Sequence, residues 1–150
     1  MIRKATLNDF DTLVLFNILL AKETEDLALD PATVQAGVRA VFEDSSKGCY
    51  WVLERDNKVV SQLLITYEWS DWRCGNWWWI QSVYTNIDYR KQGSFTQLYE
   101  FIKKLVEEEK TACGIRLTVD RLNLRARQTY LRLGMHHSHY DLFEYPKGAF

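Results

Sequence analysis

The spacing of apolar residues switches between two periods along the chain, and each switch marks an element. Ile2 to Ala5 is apolar enough for a short strand. Thr6 with Asp9 then reads as a helix start, and Phe10, Leu13, Val14 and Ile18 follow at helical spacing. The polar segment AKETED interrupts this run. Asp30-Pro31 opens a second helix by the cap-then-proline signal, with Val34, Val38, Val41 and Phe42 on one face. After EDSSKG the period becomes extended. Cys49 to Glu54 and Val59 to Tyr67 form a hairpin around RDNK, and SDWRCGN turns the chain into a third strand, Trp77 to Thr85. Phe95 to Glu109 returns to helical spacing, and Ile115, Leu117 and Val119 alternate as a strand. NLRARQTYLRLG is a short helix with Gly134 suited to its C′ position, and Tyr140 to Tyr145 alternates as a closing strand. The order βααβββαβαβ predicts an α/β (α+β) fold. Its central sheet is mixed and mostly antiparallel, flanked by helices and completed by a right-handed crossover.

Composition narrows the function classes. The 150 residues suit a single domain, 1–150, with a sizeable core. A net charge of −1 gives no global attraction for nucleic acid, so any anion site is local. The arginines at 116, 121, 125, 127 and 132 read as a solvated helix face plus phosphate contacts. Cys49, Cys74 and Cys113 are odd in number and lack paired metal spacing, which suits reduced thiols and a cytoplasmic protein. No apolar run approaches the ~18–20 residues of a membrane span, and the N-terminus lacks a secretory pattern. His136, His137 and His139 lack a carboxylate or thiol partner at ligand spacing, so no metal is expected.

The chemistry concentrates in DYRKQGSF, residues 88–95, at the turn from the third long strand into the main helix. First-turn N–H groups of a helix have no internal acceptor and favour anions. Gly93 permits a tight turn and a close approach to the main chain, while Arg90 and Lys91 add positive charge. This is a pattern for a pyrophosphate, and neither G-x-x-x-x-G-K-[ST] nor G-x-G-x-x-G after the first strand is present.

SVYTNIDYRKQGSF followed by a helix resembles the acetyl-CoA-binding motif of the GNAT superfamily of N-acetyltransferases, [RQ]-x-x-G-x-[GA]. DRLNLRARQTYLRLGM resembles the family's next motif. The two stand in family order, and the likeness covers essentially the whole chain. It implies acetyl-CoA as co-substrate and places the pantetheine amides on the strand edge at Val83 and Thr85. It places the pyrophosphate on the main chain of Lys91, Gln92, Gly93, Ser94, Phe95 and Thr96, with Arg90 at the first motif position. Asn123 matches the side chain that contacts the pantetheine arm, and Tyr130 matches the acid that protonates the departing thiolate. Phe95 departs from the motif, which has Gly or Ala there. Around TYEWSDW and WWWIQSVYT the chain resembles the spermidine/spermine acetyltransferases, some of which carry a glutamate base where this chain has Gln81. The resemblance leaves a homodimer open.

The acceptor is expected to be a small-molecule amine. Glu23 and Glu25 lie in the segment between the first two helices, and Glu68 stands beside Trp69 and Trp72. Carboxylates beside aromatic faces suit an organic cation, by ion pairing and by cation–π attraction. A polyamine, an amino sugar and a lysine-like side chain fit in that order. Alternation sends Trp77 and Trp79 to one face of the strand and Trp78 to the other. The competing reading is a domain that binds acetyl-CoA without transferring it, with Gln81 and Phe95 as marks of lost catalysis; Tyr130 favours the enzyme.

Overall fold

The computed structural model describes residues 1–148, which fall into two compact units, Met1–Thr118 and the chain from Val119 onward. The first unit holds a five-stranded sheet in the order β1-β2-β3-β4-β5: β1 (Ile2–Lys4), β2 (Cys49–Arg55), β3 (Lys58–Ser70), β4 (Gly75–Thr85) and β5 (Ala112–Arg116). Neighbours are antiparallel from β1 through β4, and β5 joins β4 in parallel. A parallel partner requires a crossover, supplied by α3 (Ser94–Glu108). The helices α1 (Phe10–Glu25) and α2 (Pro31–Glu43) precede the long hairpins.

Local chemistry explains most boundaries. Asp30 accepts the Thr33 N–H at 3.0 Å and Pro31 takes the first helical position of α2. The β2–β3 hairpin turns at Asp56 (φ 49°) and Asn57 (φ 59°), the pair of left-handed residues that matches strand twist in a two-residue turn. Two faces of the sheet are then buried. Tyr50 and Val52 meet Leu13, Val14 and Val38 from α1 and α2. On the other face Trp51 packs against Phe101 of α3, with ring centroids 5.2 Å apart, and Leu98 and Ile102 are fully buried.

The mixed, mostly antiparallel sheet is as the sequence predicts, but its last strand is not formed. Tyr140 to Tyr145 carries no ladder, and Phe143 and Tyr145 are more than 90% exposed (91% and 97%). Alternation supplies only propensity, and a strand needs a partner. The unit from Val119 contains one regular element among its described residues, helix α4 (Leu124–Arg132). Likewise β5 ends at Arg116, so Leu117 and Val119 lie outside the ladder. Among the described residues no helix is long and apolar enough to cross a membrane.

One ionic cluster ties the start of the chain together. Arg3 on β1 donates to both carboxylate oxygens of Asp9, at 2.7 and 3.0 Å, and to Glu54 on β2 at 2.9 Å. Asp9 is nearly buried and also accepts the Thr6 N–H. The hydrogen bonds from Arg3 hold the Asp9 carboxyl below its ordinary value, against the opposing effect of burial. A depressed carboxyl pKa adds stability above the unfolded value, near 3.9, and that stability disappears as pH falls through the folded value. Asp9→Asn should therefore cost about 1–3 kcal/mol at pH 7, because it leaves Arg3 short of a charged partner. The gap from wild type should narrow markedly at pH 3, as read by urea denaturation at the two pH values.

Candidate active site

The site begins where β4 leaves β5. Their pairing runs from Asn76–Ala112 to Trp79–Arg116 and stops, so from Ile80 onward the edge of β4 turned away from β3 has no β5 ladder. The departure coincides with a bulge. Gln62 pairs with Tyr84 and Leu64 with Gln81, so a single β3 residue, Leu63, faces both Ser82 and Val83. Ser82 is left-handed, with φ 51°, a conformation costing a non-glycine residue about 1–2 kcal/mol. Bulges bend a strand and raise its twist, the change needed to carry β4 away from its neighbour. The extra residue also shifts side-chain parity. Tyr84 is thereby turned into the α1-side core, 4.8 Å from Phe16 between ring centroids, and Thr85 meets Ser61, Oγ1 to Oγ at 2.8 Å.

Beyond Thr85 the chain makes a short 3-10 turn, Ile87–Tyr89, and then the loop that the sequence singles out. Lys91 (φ 61°) and Gly93 (φ 72°) are both left-handed, and Gly93 is the N-cap of α3. A Cβ at Gly93 would meet no protein atom within 4 Å, so the glycine is required by backbone conformation and leaves the loop's outer side open. Gly93 brings no capping side chain, so the α3 start is not closed by its own N-cap, and the amides of Ser94 and Thr96 have no acceptor one helical turn back. Phe95 turns toward Tyr99, with centroids 6.1 Å apart. Its bulk thus packs along α3, and the motif position usually held by Gly or Ala here carries an aromatic contact.

Side chains in the loop are tied down. Gln92 accepts from Arg55 at 2.7 Å. Arg90 donates through Nε to the Thr85 carbonyl at 2.9 Å and through Nη2 to Glu23 at 2.6 Å, with its guanidinium 5.3 Å from the centre of the Tyr84 ring. Glu23 also accepts from the Tyr84 hydroxyl at 3.3 Å. Burial, then the Glu23 charge, pushes the Tyr84 phenol above its ordinary value. The end of α1 is thus fastened to the turn after β4, a contact across 67 residues that sequence spacing gives no means of finding. Of the two backbone positions expected on the strand edge, Thr85 already has its carbonyl occupied by Arg90.

A second cluster lies on the sheet face that carries Leu64, where Thr66, Glu68, Trp77, Trp79 and Gln81 line up across β3 and β4. Glu68 accepts from Trp79 Nε1 at 3.0 Å and from Arg116 at 2.8 Å. Arg116 lies 3.9 Å from the Trp77 ring centre, and Arg73 lies 5.4 Å from it. Gln81 donates to Thr66. Trp78 points the other way, edge-on to Tyr67, as alternation predicts. Trp69 and Trp72 are exposed, at 61% and 91%. Glu25 is exposed near the end of α1. Both Glu23 and Glu68 are therefore held by arginines, Arg90 and Arg116, that the sequence pattern does not pair with them.

In the unit from Val119, Asn123 caps α4, accepting the Ala126 N–H at 3.1 Å. Tyr130 is half-buried on the same helix, and burial pushes its phenol above the ordinary value near 10. It is protonated at neutral pH. His136, His137 and His139 are exposed, and among the described residues no three His, Cys, Asp or Glu side chains gather into a metal-holding group. A cavity beside α1, lined among others by Arg3, Asp9, Phe16, Glu54 and Asn86, shares no residue with the loop at 90–96.

The chain is similar over nearly its whole length to solved acetyltransferase structures. A possible acetyltransferase from Clostridium difficile 630 is 43% identical, with 99% of this chain and 98% of that one covered and a TM-score of 0.93. A predicted acetyltransferase with acetyl-CoA from Clostridium acetobutylicum shares the fold at 17% identity, covering 97% and 95%, with a TM-score of 0.76. Glucosamine-6-phosphate N-acetyltransferase from Arabidopsis thaliana shares it at 16% identity, covering 97% of each chain, with a TM-score of 0.73. No curated protein sequence matches. The sequence profile of the acetyltransferase (GNAT) family matches residues 15–135, taking in both the parted strands and helix α4. With a solved relative at 43% identity beside that match, this chain belongs to the GNAT family of acetyltransferases.

Proposed function

We propose that this protein transfers the acetyl group of acetyl-CoA to a primary amine by direct attack in a ternary complex. The observation that carries the reading is the freed edge of β4 followed within a few residues by an α3 start that its own N-cap does not close, flanked by Arg90 and Lys91. A pantetheine arm needs a line of backbone hydrogen-bonding groups, and a pyrophosphate needs outward N–H groups with positive charge nearby. On this reading the edge at Val83 takes the arm, the main chain of residues 91–96 takes the pyrophosphate, and Asn123 contributes from the cap of α4.

The chemistry is a simple exchange. The amine lone pair forms the new C–N bond, the C–S bond breaks, and the sulfur leaves as a thiolate. Tyr130 supplies the proton to that sulfur, the cationic nitrogen of the tetrahedral intermediate loses one to solvent to leave the neutral amide, and solvent reprotonates the Tyr130 phenolate. A phenol raised by burial holds its proton across neutral pH, which suits a donor and disqualifies it as a base. Glu68 is engaged by Trp79 and Arg116, so this reading assigns no side chain as base and lets the amine lose its proton to solvent.

The acceptor is a cationic amine of the polyamine, amino-sugar or lysine-like class, in that order, and the branch is the spermidine/spermine-like one. Glu25, together with Trp69 and Trp72, offers an exposed acid and aromatic faces for it. The N-acetyltransferase from Arabidopsis, which takes an amino sugar, is consistent with that class. The protein works as one domain in the cytoplasm.

Release of free CoA thiol should appear with polyamines or amino sugars in an acceptor panel. Reaction with anionic or uncharged acceptors alone would overturn the amine assignment. Tyr130→Phe should lower kcat roughly 10–10³-fold while the KM for acetyl-CoA hardly moves, and loss of activity at alkaline pH should fall above about pH 10. Glu23→Gln has an unexpected sign. It removes the anion beside Arg90, so acetyl-CoA, itself an anion, should bind more tightly, by less than roughly fivefold because the pair is half-exposed. Calorimetry at low and high salt checks this, and the gain should shrink as salt rises.

A further inference from the structure

Gln62 is the anomaly of the core. It lies in β3, fully buried, opposite Val52 of β2 and two residues before Leu64 on the same strand face. Its Nε2 donates to the Ser82 carbonyl at 3.1 Å, while Oε1 is buried with no hydrogen-bond partner among the described residues. The orientation follows from chemistry, because the reverse would set two acceptors against each other. A buried amide with one end unsatisfied is costly, and a leucine or methionine would fill the same volume without that cost. What the amide gains is one bond, to the carbonyl of the left-handed residue at the bulge.

That bond sits at the point on which the strand edge depends. The bulge sets the parity that turns Tyr84 inward and Thr85 toward Ser61, and it lies just past Trp79–Arg116, where β4 and β5 part. A flat β4 with Ser82 in ordinary extended conformation would reverse every later side chain of the strand. We propose that Gln62 is a positioning residue for acetyl transfer. Held at the core, its side-chain amide fixes the Ser82 bulge and thereby the exposed backbone edge that takes the pantetheine arm. The proposal rests on the acetyl-CoA reading above and adds a residue that touches neither substrate.

The distinguishing signature is a division between stability and binding. Gln62→Met keeps the volume and removes both the amide's bond and its unsatisfied oxygen. It should leave the thermal midpoint equal to or above wild type, yet raise the Kd for acetyl-CoA by about tenfold, the scale of one lost hydrogen bond. Gln62→Leu, which likewise cannot donate to the Ser82 carbonyl, should weaken binding similarly. Calorimetry with acetyl-CoA and a thermal melt on the full chain read both quantities. A Gln62→Met chain that fails to fold, or that binds acetyl-CoA as wild type does, overturns the proposal. If wild type itself does not bind acetyl-CoA, the cofactor reading fails, and Gln62 is judged by backbone NMR shifts at Ser82. Loss of the left-handed signature in Gln62→Met upholds its hold on the bulge, and retention overturns it.

Discussion

The parting of β4 from β5 is the constraint on which the rest of the candidate site depends. A sheet satisfies backbone N–H and C=O groups by pairing, and two parallel neighbours that separate leave such groups without their ladder. In this protein the pairing stops after Trp79 and Arg116, and one residue is inserted into β4 just beyond, at Ser82. The cost is local: a serine in a left-handed conformation and a buried glutamine amide satisfied at one end. Strain of this kind persists only where the surroundings hold it. Here they do, through Gln62 on one side and the packing of Tyr84 against Phe16 on the other.

The same small region gathers the charges. Arg90 spends its guanidinium on the Thr85 carbonyl and on Glu23, so it braces the strand-to-helix turn as well as adding positive potential to it. Glu68 does similar work on the sheet face, fixing Arg116 over Trp77. Both carboxylates therefore have structural duties that a count of acids and aromatics in the sequence does not reveal. An exposed ion pair is weak, so neither is locked in place; a ligand anion or cation of comparable charge competes on nearly equal terms. The arrangement makes the cofactor loop and the end of α1 electrostatically dependent on each other.

Much of this was legible in the sequence, because it was written in local chemistry. The helix starts at Thr6–Asp9 and Asp30-Pro31, the Asp56-Asn57 turn, the alternation of Trp77 to Trp79 and the glycine at 93 each act over a few residues, and each appears where the pattern puts it. Family membership was legible for the same reason: the two motifs are short and their order is fixed. Tertiary structure decided what depends on partners far apart in the chain. It left Tyr140 to Tyr145 unpaired, because an alternating segment becomes a strand only beside another strand. It joined Glu23 to Arg90 and Glu68 to Arg116 across 67 and 48 residues. It placed the bulge at Ser82, where no glycine advertised it, because the left-handed residue is held by a glutamine from the neighbouring strand rather than by its own freedom to adopt that conformation.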